Sequence, residues 1–131
     1  MFQGINLLEQ GLNAAWLRNE VISNNLANVD TPGYKSSSVE FESMLADALG
    51  NTGITGRQTR EKHLPIGSAI PEGIEPVVRQ NSDTTMRMDG NNVDIDKEMS
   101  ELAMNSIYYN ALIQKISDEL SRIRMAVQEG R

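Results

Sequence analysis

One stretch of this 131-residue sequence carries ligand-type side chains at close spacing: Asp89-Gly90-Asn91-Asn92-Val93-Asp94-Ile95-Asp96. A calcium loop needs oxygen ligands at alternate positions, glycine at the sixth and a bidentate glutamate at the twelfth. Counted from Asp89, the fifth residue is Val93, the sixth is Asp94 and the twelfth is Ser100, so the coordination geometry fails. The run reads better as a turn at Asp89-Gly90 leading into a helix N-terminus rich in acceptors, with Asn92 or Asp94 as N-cap. His63 is the one histidine and there are no cysteines, which removes histidine pairs, zinc fingers, disulfides and thiol catalysis. Neither a nucleophile elbow nor a phosphate-binding glycine loop occurs. No catalytic, metal or cofactor-binding residue is therefore expected, and no cofactor.

A second polar cluster, Ser23-Asn24-Asn25-Leu26-Ala27-Asn28, has no reactive group but an unusual composition, because asparagine is a mediocre helix former. One reading is a solvated face near a fraying helix end. The other, which we favour, is an interface: Asn24, Asn25 and Asn28 lie at helical neighbour spacing beside small Ala27, which admits another backbone and amide bonds to it.

These polar clusters sit at the ends of two long periodic segments. Ile5, Leu8, Leu12, Ala15, Asn19, Ile22, Leu26 and Val29 are separated by alternating steps of three and four. So are Ile95, Met99, Leu102, Ser106, Tyr109, Ile113, Ile116, Leu120, Ile123 and Val127. A period near 3.5 predicts two helices, each with one seam facing a partner along its length. At about 1.5 Å per residue they would be rods of about 37 Å for 5–29 and about 50 Å for 95–127. Acidic Asp94, Asp96 and Glu98 at the start of the second, and Arg122 and Arg124 near its end, suit the helix dipole. Thr31-Pro32-Gly33 should stop the first.

The middle differs. A short helix is expected near 38–49, ended by Gly50, while 50–92 holds six of the ten glycines and three of the four prolines. That segment reads as mostly irregular, with room for a short β-ribbon between Glu75–Val78 and Thr84–Met88. The fold expected is mainly α: two long terminal helices paired as an antiparallel coiled coil, divided as 1–34, 35–92 and 93–131 within one domain. Aromatic residues are 5% of the chain, lean for a self-sufficient core, so partner surfaces should complete the burial. The net charge of −6 is spread evenly, −2 in each of 1–31, 35–92 and 93–131, which disfavours nucleic-acid partners. The first residues lack a basic segment before an apolar run, unlike a cleaved Sec-type signal, and no window is apolar enough for a direct membrane span.

The run Ile22 to Lys35, containing Asn24, Asn25, Leu26, Ala27, Asn28, Thr31, Pro32, Gly33 and Tyr34, resembles the N-terminal signature shared by bacterial flagellar rod and hook proteins. The block Asp89 to Met99, with Asn91, Asn92, Val93 and Asp94, followed by Glu101-Leu102-Ala103 and Tyr109, Ala111 and Leu112, is similar to the C-terminal part of the short proximal rod subunits. Arg60-Glu61-Lys62-His63-Leu64 is a looser match to a basic patch of that family. The resemblance implies a structural subunit of the flagellar basal body, exported without a cleaved signal and located in the rod outside the inner membrane. Its expected partners are copies of itself, other flagellar rod subunits, and inner-membrane ring and rod-base or export-gate proteins. The signature and second block become candidate assembly residues, alongside the seam positions Ile5, Leu8, Leu12, Ala15, Ile22, Leu102, Tyr109, Ile113, Ile116, Leu120 and Ile123. Alternatives are another short rod subunit, or a cytoplasmic coiled-coil adaptor or export chaperone.

Overall fold

The computed structural model describes residues 2–50, 74–82 and 87–129. The expectations for His63, the Arg60–Leu64 patch and the glycine-rich 51–73 stretch lie outside the described residues. Five elements follow in order: α1 (Phe2–Ala27), β1 (Ser37–Glu40), α2 (Glu42–Gly50), β2 (Val77–Gln80) and α3 (Ile95–Glu129). The two long helices run antiparallel, as Asn25 meets Glu98 and Ala15 meets Asn105. Leu112 covers Gly11, where an added Cβ would sit 3.5 Å from the leucine methyl.

The seam on α3 differs from the simple apolar repeat. Its less exposed positions are Glu98, Glu101, Leu102, Asn105, Tyr109, Leu112, Ile116, Glu119 and Ile123. Met99, Ser106, Ile113, Leu120 and Val127 stand beside that line, exposed. The cause is the polar content of the packed face. Glu98, Asn105 and Glu119 occupy seam positions that the spacing passes over in favour of the neighbouring Met99, Ser106 and Leu120. On α1, Ala15 and Ile22 are buried, whereas Ile5, Leu8 and Leu12 are partly covered.

The middle segment supplies a second, smaller layer. β1 pairs antiparallel with β2, in register from Ser37 opposite Gln80 to Glu40 opposite Val77. Of the expected ribbon, residues 84–86 of the second arm lie outside the described residues, and the strand at 77–80 pairs backward with 37–40 instead. This pairing also moves the start of the short helix from near 38 to Glu42, because Ser37–Glu40 with β-branched Val39 is extended. Phe41, at the joint between β1 and α2, is buried with Ala14 and Ile74, and Met44, Leu45 and Ala48 of α2 close over them. Arg18 ties this layer to α1, donating to Glu42 at 2.7 Å and to the Val39 carbonyl at 3.4 Å. Among the described residues, one side of the helix pair is thus covered by β1 and α2, and the other is open.

Candidate functional site

The signature and the second block meet at one end of the helix pair. After Ala27 the chain leaves α1 through a tight turn, in which Asn28 donates its side-chain amide to the Asn24 carbonyl and Oδ1. Thr31 donates its hydroxyl to Asn28 Oδ1, and Tyr34 N–H closes onto the Thr31 carbonyl. Gly33 follows Pro32 at φ +73°, in the left-handed region that favours glycine, and its N–H reaches the Asp89 carbonyl at 2.9 Å. Gly90 opposite has φ +82°. The two turns lie so close that a Cβ on Gly90 would be 3.7 Å from Gly33 Cα.

Three asparagine side chains fasten this junction. Asn91 is fully buried, and its amide donates to the carbonyls of Asn28, Val29 and Thr31 at 3.0, 2.9 and 3.0 Å. Its Oδ1 accepts from Val93 N–H at 2.7 Å. It thereby satisfies carbonyls that the end of α1 leaves without helical partners. Asn92 accepts from Ser36 N–H and donates to the Asn81 carbonyl, both at 2.7 Å, gripping the mouth of the ribbon. Asn25, 1% exposed, pairs its amide with both backbone groups of Ser37, at 2.9 and 2.8 Å. That amide behaves as one extra residue on the free edge of β1. Tyr34 donates its hydroxyl to Asn25 Oδ1 at 3.3 Å, and Asn25 donates to Glu98 at 3.1 Å.

The remaining site residues frame this clasp. Asp94 is the N-cap of α3, its Oδ1 accepting from Asp96 and Lys97 N–H, and Val93 is buried beneath it. Leu26 and Tyr34 are half-buried, while Asn24, Ala27, Thr31, Pro32 and Gly33 are exposed. The asparagines therefore divide: Asn25, Asn91 and Asn92 turn inward as fasteners, and Asn24 stays at the surface. Glu98 was legible as a helix-start charge, but its place inside the clasp was not. Its spacing of seven from Asn105, and that residue's spacing of seven from Leu112, is the signal that could have found it.

Charge at the site follows from burial. Glu98 is 6% exposed and meets an amide rather than a cation, so loss of hydration raises its pKa above the ordinary carboxylate value. The Asn25 amide opposes this; Glu101 and Asp94 add to it and Lys97 reduces it. Glu42 is held below the ordinary value by its bond from Arg18. Arg87 spans the turn, donating to the Val29 carbonyl at 2.9 Å beside Asp30. Asn105 donates to the Ala15 carbonyl at 2.8 Å, but its enclosed Oδ1 accepts nothing among the described residues. No group of acidic or histidine side chains among the described residues is arranged to hold a metal ion, and none of their helices is long and apolar enough to cross a membrane.

The amides of this clasp close on backbone and on Glu98, and hold two helix ends and a ribbon in one register. Comparison with known proteins agrees. The family model described as flagella basal body rod protein matches residues 5–35, which span α1 and the Pro-Gly turn. The flagellar basal body rod protein FlgB of Bacillus subtilis (strain 168) is 33% identical over 132 residues, covering 100% of this chain and 98% of the relative. FlgB of Proteus mirabilis (strain HI4320) is 34% identical over 86% of this chain and 85% of its own length. FlgB of Escherichia coli (strain K12) is 30% identical over 93% and 91%. Similarity through both terminal helices and the clasp, at matching length, places the chain in the FlgB family of flagellar basal body rod proteins.

Proposed function

We propose that the chain is a structural subunit of the proximal rod of the bacterial flagellar basal body. It assembles helically with copies of itself and with other rod subunits, seats against inner-membrane ring and rod-base or export-gate proteins, and carries motor torque. The observation that supports this most is end-to-end similarity to FlgB proteins in a chain whose helix pair leaves large apolar side chains in solvent. Trp16, Met104, Ile107 and Val127 are between 60% and 72% exposed, a surface that favours burial against neighbours. A repeated heterologous contact whose rotation does not close builds such a rod. The clasp's part is to fix the angle at which the chain leaves the helix pair, so that every copy presents the same surface.

A strain deleted for this chain should be non-motile and lack rods by electron microscopy of its cell envelopes, and plasmid-borne wild-type chain should restore both. Normal rods in the deletion strain would overturn the proposal. The adaptor alternative predicts instead that the chain stays in the cytoplasm bound to a partner helix.

A further inference from the structure

The open side of the helix pair and the tip of α3 are complementary surfaces on one molecule. On the open side, Trp16 and Asn19 of α1 face Ser106, Tyr109 and Asn110 of α3 across a groove of about 330 Å³, and Trp16 is 60% exposed. Glu20 lies one turn beyond Trp16 on the same flank, exposed, with no ion-pair partner among the described residues. The tip of α3 is its counterpart. Pairing of Asn25 with Glu98 and of Gly11 with Leu112 brings Phe2 level with about Ser121, so α3 extends past α1 by about eight residues, or about 12 Å. That overhang presents Arg124 and Val127 on one face, with Leu120 on the same face just before it. Val127 is 70% exposed, and Arg124 has no ion-pair partner among the described residues.

We infer that the α3 tip of one copy docks in the Trp16 groove of the next, with Val127 against Trp16 and Arg124 paired to Glu20. This rests on the rod reading and names the contact between copies. The spacing is consistent: running antiparallel to the receiving α1, Arg124 falls about 4.5 Å along the helix from Val127, and Glu20 about 6 Å from Trp16. The opposite charges meet within the reach of a guanidinium. Because the tip stands at one end of the pair and the groove is a different surface about 30 Å along it, the contact is head-to-tail and propagates without closing.

The chain contains no cysteine, so engineered ones report without background. Trp16→Cys and Val127→Cys chains would be produced together in cells lacking the native copy, and their basal bodies isolated and mildly oxidised. Within one chain the two positions are about 30 Å apart along the pair, far beyond the 7 Å or so that a disulfide bridges. We expect a disulfide-linked dimer from the mixture, little from either variant alone, and a ladder of multimers when one chain carries both. Asn19→Cys with Val127→Cys serves as a second pair should loss of Trp16 disturb folding. Arg124→Glu should shrink the swarm ring at least twofold, and Glu20→Arg in the same chain should restore it. Incorporated variants that give no mixed dimer would overturn the docking and leave the rod reading standing. Dimers from Trp16→Cys alone, or Trp16 shielded from a water-soluble reagent in the dilute monomer, would overturn it too. Absence of the unaltered chain from basal bodies would instead bring down the rod reading, and this inference with it.

Discussion

Replacing Asn91 with alanine should unfasten the clasp at measurable cost. The amide carries two hydrogens shared among three carbonyls, those of Asn28, Val29 and Thr31, and its oxygen holds Val93 N–H. Removal therefore deletes about three net hydrogen bonds, worth about 1 kcal/mol each. Val93 is 5% exposed, so its N–H would be left dry, adding about another 1 kcal/mol. The expected loss is about 3–4 kcal/mol, or roughly 10–15 °C in melting temperature for a chain of this size. Far-ultraviolet circular dichroism during urea and thermal unfolding of Asn91→Ala, beside wild type, reads it directly. Asn91→Asp should be no better than alanine, because a carboxylate has no hydrogen to give and would face three carbonyl oxygens. Asn24→Ala is the matched control: Asn24 is exposed, its side chain accepts one bond from Asn28, and its loss should cost below about 1 kcal/mol. A cost for Asn91→Ala no larger than that of Asn24→Ala would refute the view that this amide ties the helix ends together.

Other perturbations test the remaining parts. The folded-state pKa of Glu98 lies above its unfolded value, so the carboxyl favours folding when protonated, and that contribution is lost as pH rises from the unfolded through the folded pKa. Glu98→Gln should accordingly stabilise the chain at neutral pH, with the gain disappearing in acid; urea midpoints across the pH range check this. Glu42 has the opposite sign: its pKa is lowered, so its contribution is present at neutral pH and lost as pH falls through the folded value. Glu42→Gln should cost below about 1 kcal/mol at neutral pH, because the pair is largely solvated, and nothing in acid. Gly33→Ala should cost about 1–2 kcal/mol from its positive φ, although nothing lies within 4 Å of the new Cβ, and Gly33→Val more. Asn105→Leu should be neutral or stabilising by up to about 1 kcal/mol, since it removes an enclosed oxygen that accepts no bond. A calorimetric melt distinguishes that outcome from a loss.

The two long helices were legible in the sequence because their apolar spacing is sustained, and the chain does turn after Asn28 where proline and glycine stand. Positions within the seam were only partly legible. Hydrophobic counting selects Met99, Ile113 and Leu120, whereas the packed line runs through Glu98, Asn105 and Leu112, whose two polar members are held by specific partners across the pair. Periodicity cannot reveal such partners, because they depend on what stands opposite. The ribbon was misjudged for a related reason. Strand 77–80 has a recognisable β-branched core, but its mate precedes it by some forty residues, and what joins them to α1 is a side-chain amide, that of Asn25. The asparagine run illustrates both limits. Its composition marks it as more than a fraying end, yet which amides turn inward and which stay in solvent is decided by Ser37 and Glu98, remote in sequence.

The central claim is that this chain is built into the flagellar rod. Hook–basal bodies purified from the native cells, stripped of cytoplasm and membrane, can be analysed for it by quantitative mass spectrometry. The account predicts the chain in that fraction at a fixed ratio to the other rod subunits, retained after detergent and salt washes. Its recovery solely from the cytoplasmic fraction, with none in the washed basal bodies, would contradict it.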